Sequence, residues 1–299
     1  MTLEQLKYLQ AIVEQGSFRA AADVVFRSQS SLSISIQKLE QELGIQLLER
    51  NGYRPKLTQE GKAIYEKSKQ LLQKSQELKD LAVHLTAGCE AELRLAISCI
   101  LPIEPIVSVL NHVSTDYPQT RMSMLIENLS GTMERLLDDD ADIALTDSFE
   151  PNSNLESLLL TEIDFISVVP STSQWANQAD NITEQDLENE TIIVMRDTSH
   201  HSKRITKGIL EGAPQWLVND FSTKQQVICS GKGWGRMPLH LVKEDIAQGR
   251  LTMLTSDDFP TFRVPIHLVR KTHKHTGPVE QMLWSALQKI DWQTAATTA

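Results

Sequence analysis

Cysteine is scarce in this 299-residue chain: Cys89, Cys99 and Cys229 are odd in number and far apart. That excludes a disulfide framework and suits a reducing compartment. No stretch approaches the roughly 18 consecutive apolar residues of a membrane span. The opening MTLEQLKYLQ alternates charged and apolar residues, unlike a secretory signal. The expected location is therefore the cytoplasm, with no membrane partner. Catalytic and metal constellations are missing as well. No Ser–His–Asp set can be nominated, and His200-His201 and His273/His275 have no convincing companions as metal ligands. The glycine-rich SGKGWG (Ser230–Gly235) follows a helix-like segment, a poor context for holding phosphate. The acidic run DDDAD (Asp138–Asp142) does not have calcium-loop spacing and reads as a solvated helix end. No catalytic residue, metal or cofactor is expected.

What is present is a globular composition, 40% hydrophobic and 23% charged, long enough for two or three domains. The net charge of −10 hides an asymmetry: residues 1–87 hold 12 Lys/Arg against 10 Asp/Glu, and the remainder 17 against 29. A slightly basic N-terminal part ahead of a strongly acidic body leaves room for a local positive face toward nucleic acid.

Thr2-Leu3-Glu4-Gln5 fits a capping box, Leu6, Leu9 and Val13 share a helical face, and Gly16 is a stop signal. Ser17 can cap a second helix, Phe18 to Phe26. Ser28 or Ser30 opens a third, which reaches Leu43 before Gly44. Leu32, Ile36, Leu39 and Leu43 form its inward face; Ser30, Ser33, Ile34, Gln37 and Gln41 lie opposite. Three short helices with a tight turn between the last two make a helix-turn-helix. Five of the eight residues from Ser28 to Ser35 are serine, although serine is a mediocre helix former. Short hydroxyls cap the helix and clear its front for a major groove, where Ser reads donors or acceptors and Gln pairs with adenine. Beyond Gly44, two short apolar stretches flank Asn51-Gly52, a hairpin signal, with Arg50, Arg54 and Lys56 around its tip. A basic hairpin beside such a helix is a wing for phosphate or minor-groove contact.

The pieces LKYLQAIVEQGSFRAAA, SQSSLS, IQKLEQELGIQLLER and LTQEG, from Leu6 to Gly61, resemble the DNA-binding region of the LysR-type transcriptional regulators. The resemblance implies double-stranded DNA as partner and makes Gln29, Ser30, Ser33 and Gln37 candidate contacts, beside Ser28 at the helix start and the basic wing. Ile34 departs from the family's usual basic or polar residue; it can pack against a thymine methyl but cannot donate to guanine.

No proline or glycine interrupts Lys62–Ala87, where Ile64, Ser68, Leu71, Ser75, Leu78, Ala82 and Leu85 step by four and three. That is a heptad seam, with Ile64, Leu71, Leu78 and Leu85 the large residues, expected to pair with a second copy. Family likeness implies a linker helix joining two subunits, with dimers often paired into tetramers on a dyad-symmetric site.

From Glu92 onward, Leu93–Ser98, Arg121–Glu127, Ile143–Thr146, Phe165–Val169, Thr191–Met195 and Val264–Val269 read as strands. Ile103–Ser114, Gly131–Asp138, Ser202–Glu211 and Val279–Ile290 read as helices. Alternation of this kind predicts parallel α/β sheets. LRLAIS, ADIALTD and VICSGKGWGRMPLHLVKEDIAQGRL resemble the family's effector domain, which is similar to periplasmic binding proteins. The expected fold is thus α/β: a winged helix-turn-helix (1–58), a linker helix (59–88) and a two-lobed effector domain (89–299). Lobe I would take about 89–163 and 266–299, and lobe II about 164–265. Effectors bind at strand C-termini where helices begin. The expected lining is Ser98, Cys99, Ile100, Asn128, Leu129 and Ser130, with Arg196, Asp197, Thr198, Ser222 and Thr223 from the second lobe. Hydroxyls, helix starts and one basic side chain suit a small carboxylate or other anion. The competing reading is a cytoplasmic solute-binding protein or enzyme on the same two-lobed fold; an architectural DNA binder would not need the C-terminal portion.

Overall fold

The computed structural model describes residues 1–49, 55–87, 89–200, 208–210, 212–272 and 276–292. Within it the chain forms two compact units, Met1–Thr86 and Ala87–Ala299.

The first unit begins with α1 (Leu3–Gln15), whose capping box is complete: Gln5 N donates to Thr2 Oγ1 at 3.2 Å and Thr2 N to Gln5 Oε1 at 2.8 Å. Gly16 ends it at φ 66°, the left-handed region that glycine enters without a steric penalty. Ser17 caps α2 (Phe18–Val24), two residues shorter than the sequence pattern predicts. Val25 and Phe26 instead form the turn, and Phe26 takes φ 54°. Ser28, rather than Ser30, caps α3 (Gln29–Leu43) by accepting from Ser31 N at 3.2 Å. Leu6, Leu9, Ile12, Ala21, Leu32, Ile36, Leu39 and Leu47 close a small core between the three helices. Glu40 turns its carboxylate to Leu47 N (2.8 Å) and Leu48 N (3.2 Å), fixing where the chain leaves α3 for the hairpin. Leu48 and Leu57 pair antiparallel at the hairpin base. Its tip, with Arg50, Asn51-Gly52 and Arg54, lies outside the described residues. Thr58 Oγ1 accepts from Gly61 N at 2.8 Å, starting α4 (Gln59–Ala87). A Cβ on Gly61 would meet the Leu47 carbonyl oxygen at 2.1 Å, so only glycine lets α4 start against the hairpin.

The second unit is a mixed α/β structure, not the purely parallel one expected. Strands β1 (Glu92–Ser98), β2 (Arg121–Glu127) and β3 (Ile143–Thr146) are parallel, with α5 (Glu104–Asp116) and α6 (Gly131–Leu137) between them. The long β4 (Leu155–Pro170) carries the chain from this first lobe into a second one. There follow β5 (Ile192–Met195), β6 (Gln215–Val218), α7 (Phe221–Cys229), β7 (Gly235–Pro238), α8 (Leu239–Ala247) and β8 (Leu251–Met253). Strand β9 (Phe262–Lys271) returns antiparallel to both β3 and the first two-thirds of β4, and α9 (Pro278–Leu287) closes the first lobe. The end of β4 pairs instead with β7 and β8, so one strand belongs to the sheets of both lobes. Strands β5 and β6 pair parallel, and a single bridge at Ile192–Trp234 joins β5 to the approach to β7. The two connecting strands lie side by side where Phe165 pairs with Phe262 and Ile163 with Val264.

The helix predicted over Ser202–Glu211 lies almost wholly outside the described residues. The DDDAD run is not merely solvated: Asp142 is buried and grips the Arg94 guanidinium at 2.9 Å, and Asp139 holds the Lys271 ammonium at 2.6 Å. These pairs anchor the end of α6 to β1 and β9. No helix of the described residues is long and apolar enough to cross a membrane.

Candidate functional site

The first unit offers α3 as a groove-reading element. Ser28, Gln29, Ser30, Ile34 and Gln37 are exposed and Ser33 half-buried, while Leu32, Ile36 and Leu39 face the core. Ser28 Oγ lies 3.0 Å from Ser30 Oγ and 2.7 Å from Ser31 Oγ, so part of the serine run organises the helix start itself. The outward surface stays uncharged and short, as entry into a major groove requires. Lys56 is exposed on the hairpin; Arg50 and Arg54 are outside the described residues. Sequence reasoning missed Phe26, 91% exposed in the turn that feeds α3. A bulky residue at positive φ is an outlier that ordinary turns avoid.

The heptad seam divides. Ile64, Tyr65 and Leu72 pack against the first unit's own core, and Ser68 is buried with its hydroxyl donating to the Tyr65 carbonyl at 2.8 Å. Leu71 and Leu78 stay 48% and 69% exposed. Leu85 lies outside the described side chains.

In the second unit a cavity of about 130 Å³ opens between the lobes. Ser98, Cys99 and Ile100 at the end of β1, Asn128 and Leu129 after β2, and Asp147 after β3 form one wall. Opposite stand Ile193, Val194 and Met195 of β5, Phe221 and Lys224 of α7, Arg236 of β7 and Gly208. Phe165, Phe262 and Val264 of the crossing strands form the floor. An apolar cavity of about 150 Å³ accommodates benzene, so this one takes roughly a single ring or an equivalent carbon skeleton. Five of the residues expected from sequence are here: Ser98, Cys99, Ile100, Asn128 and Leu129.

Ser130, Arg196, Asp197, Thr198, Ser222 and Thr223 do not line it. Most of that set instead clasps lobe to lobe. Asn128 N donates to Thr198 Oγ1 at 2.9 Å, and Asn128 Nδ2 donates to the carbonyls of Arg196 (3.1 Å) and Asn219 (2.7 Å). Ser130 Oγ donates to the Asp197 carboxylate and lies 3.1 Å from Ser199 Oγ. The approach is close enough that a Cβ on Gly131 would sit 2.1 Å from Thr198 Oγ1. The Arg196 side chain faces solvent, as do Ser222 and Thr223. Thr223 is tied to the α7 cap, its N donating to Asp220 Oδ1 at 2.7 Å and its Oγ1 to Oδ2 at 2.8 Å.

The basic groups that do reach the cavity went unpredicted. Lys224 is only 5% exposed and donates from Nζ to the Arg236 carbonyl at 2.8 Å, with Nζ 5.6 Å above the Phe221 ring. Loss of hydration pulls its ammonium from the ordinary 10.5 down to about 7; Cys99 opposes that shift and the neighbouring Arg236 cation adds to it. The Arg236 guanidinium lies 5.5 Å over the Phe262 ring, and its buried Nε has no hydrogen-bond partner among the described residues. A buried donor left unpaired is costly unless something occupies the site. Ser98 Oγ donates to Asp147 at 2.9 Å, which holds that carboxylate in the cavity wall. Cys99 is pushed up to about 12, chiefly by burial and then by Asp147, so its thiol stays protonated and is a poor redox sensor.

A winged helix-turn-helix joined by a helix to a two-lobed α/β unit with an internal cavity defines a DNA-binding regulator with its own ligand-binding domain. Comparison with known proteins agrees. A family model described as the LysR substrate binding domain matches residues 87–290, and one for bacterial regulatory helix-turn-helix proteins of the lysR family matches residues 3–62. The chain is 29% identical over 259 residues to the HTH-type transcriptional regulator YhaJ of Escherichia coli O157:H7, spanning 86% of this chain and 87% of that one. It is 29% identical over 304 residues to the HTH-type transcriptional regulator AceR of Acinetobacter baumannii, spanning 98% of both. Full-length CbnR, solved in complex with its target DNA, superposes with a TM-score of 0.61 at 19% identity, covering 97% of this chain and 99% of that one. The protein belongs to the LysR family of bacterial transcriptional regulators, with an N-terminal DNA-binding domain and a C-terminal effector-binding domain.

Proposed function

We propose that this regulator senses a small organic anion, most simply a carboxylate on a one-ring or similar skeleton, in the cavity between the lobes of its second unit. The observation that carries this reading is the pairing of two basic side chains, Lys224 and Arg236, against one acidic side chain, Asp147, in a mainly apolar cavity. An anion there would supply an acceptor for Arg236 Nε and favour the ammonium form of Lys224. Binding should therefore tighten as pH falls through about 7, where Lys224 takes up its proton. Ser98, Cys99, Ile100, Asn128 and Leu129 complete the lining, and phenylalanine rings cover the carbon skeleton. A thermal-shift panel of small carboxylates against their neutral amides tests this. Acids but not amides should raise the melting temperature; equal responses would remove the anion from the account.

In this reading α3 enters the major groove, with Ser28, Gln29, Ser30, Ser33, Ile34 and Gln37 toward base edges and Lys56, Arg50 and Arg54 toward phosphates. The exposed Leu71 and Leu78 support pairing of α4 with a second copy, giving a dimer on a dyad-symmetric site and, by pairing of dimers, a tetramer in the cytoplasm. Ile64 serves the module's own core as well. We assign residues 1–58 to reading DNA, 59–88 to the linker and 89–299 to sensing. The lobes would be about 89–163 with 266–299, and about 164–265; the exchange of partners along β4 near Phe165 supports the division. A ligand that favours one arrangement of the lobes shifts their populations, and α4 is the covalent path to the half-sites.

A further inference from the structure

The cavity holds an amine whose setting goes beyond charge recognition. Lys224 sits on α7 one turn after Phe221 and one turn before Ile228, both buried, so a lysine occupies the core-facing stripe of its helix. Among the described residues its ammonium has no carboxylate within ion-pair distance; its hydrogen bond goes to the main-chain carbonyl of Arg236. One N–H is thus held by the wall, and Lys224 belongs to the cavity lining together with Phe221, Met195 and Cys99. A second cation, Arg236, stands next to it. A buried, desolvated lysine beside another cation is the arrangement that turns an amine into a nucleophile toward carbonyl compounds. Cys99, protonated, does not compete for the same electrophile.

We propose that Lys224 condenses reversibly with an aldehyde or ketone effector, so that the cavity captures a carbonyl compound as an imine. The inference rests on the cavity reading above and narrows it: an anionic group on the same molecule would still meet Arg236. The Nζ lone pair attacks the carbonyl carbon, forming a C–N bond while the π electrons move to oxygen, which takes a proton. The nitrogen releases one proton, the hydroxyl takes a second proton from solvent, and the C–O bond breaks as the oxygen leaves as water. The product is a protonated imine, C=NH⁺, with no change of oxidation state, and its remaining N–H can still donate to the Arg236 carbonyl. Reversal by water restores both partners, as a sensor requires. The groups that set the protonation of Lys224 are Arg236 and Cys99, and Asp147 is the carboxylate on the opposite wall. At pH 7.5 the free-base fraction of Lys224 exceeds that of an ordinary lysine by roughly three orders of magnitude, partly offset by the lower nucleophilicity of a weaker base.

The test uses a matched pair of probes on the full chain, benzaldehyde and benzoate, which share a ring and differ in whether an imine can form. With benzaldehyde and cyanoborohydride at pH 7.5, peptide mass mapping should find N-benzylation of Lys224 at least ~10-fold faster than of the exposed Lys67, Lys243 or Lys289. Excess benzoate should slow that labelling in the wild type. Lys224→Arg, which keeps a basic donor for the Arg236 carbonyl but has no amine able to form an imine, should lose it. If Lys224 reacts no faster than the exposed lysines while benzoate still raises the melting temperature, the imine is refuted and the anion cavity stands. If benzoate has no thermal effect and Lys224 is still labelled selectively, the carbonyl inference stands without the anion. Failure of both sinks both.

Discussion

Replacing Lys224 by methionine should make the protein more stable, although it removes a hydrogen bond. The fold holds this amine at about 7 against an ordinary 10.5. At pH 7.5 the unfolded chain keeps the proton and the folded chain has mostly released it. Three pH units at about 1.4 kcal/mol each give a cost of roughly 4 kcal/mol for burying the amine. Lys224 runs past Gly235, where a Cβ would meet Lys224 Cε at 2.8 Å, and methionine is apolar, similar in length and flexible enough to fill the same path. What disappears is the donor to the Arg236 carbonyl, about 1–3 kcal/mol for an acceptor left unpaired. The net gain is about 1–3 kcal/mol, several degrees in Tm. The sign of the pH dependence is the sharper test. Between about 7 and 10.5 the unfolded state binds more protons, so the wild type gains stability as pH rises, about 1.4 kcal/mol per unit from this group. Below about 7 both states are protonated and the slope disappears. Melts at pH 7.5 and 9.5 should show wild type approaching the variant at the higher pH, with the Lys224 contribution to the slope absent from Lys224→Met. A variant that is less stable at pH 7.5 and follows the wild-type pH profile would show that Lys224 is a charged, structurally bonded ammonium.

Asn128→Ala reduces the three cross-lobe hydrogen bonds donated by this residue to one, since only the main-chain N–H to Thr198 survives. It should cost about 1–3 kcal/mol in urea melts, and wild-type stability would mean the lobes are held otherwise. Leu71→Asp and Leu78→Asp should give monomers in sedimentation, because both leucines are exposed within one copy; retained assembly would place the subunit contact elsewhere. Ser33→Ala should reduce preference for the cognate site by about 1–3 kcal/mol for each base edge the helix no longer reads, whereas Lys56→Ala should weaken binding to all sequences and flatten its salt dependence. Equal reductions of specific and non-specific affinity in both variants would overturn that division.

The N-terminal module was legible in detail because its signals are local. Thr2, Ser17, Ser28 and Thr58 cap the helices they precede, and Gly16 and Gly44 end helices in the left-handed region. Strands β2 and β3 were readable to the residue, bounded as they are by turn and helix signals. The first half of β4 was not, since the shift at Leu159/Thr161 breaks the two-residue alternation that marks a strand. Strand direction was also invisible: β9 returns from a sequence separation of about a hundred residues to lie between β3 and β4. At the site, the residues after β1 and β2 were found because strand C-termini are where such sheets bind ligands. Ser130, Asp197 and Thr198 obey the same rule, yet they face each other across the lobes and satisfy one another. Lys224 left one signal, a basic residue at the buried spacing within FSTKQQVIC. Arg236 left none, because its neighbours in space come from α7, β9 and the segment around Gly208.

The most direct test of the cavity's role is a DNase footprint with and without the carboxylate that gives the largest thermal shift in the panel, on wild type and Arg236→Gln. The compound should alter the wild-type footprint and leave that of Arg236→Gln unchanged at the same concentration. A ligand-dependent footprint of equal size in Arg236→Gln would contradict the account, because the effector would then act from somewhere other than the cavity between the lobes.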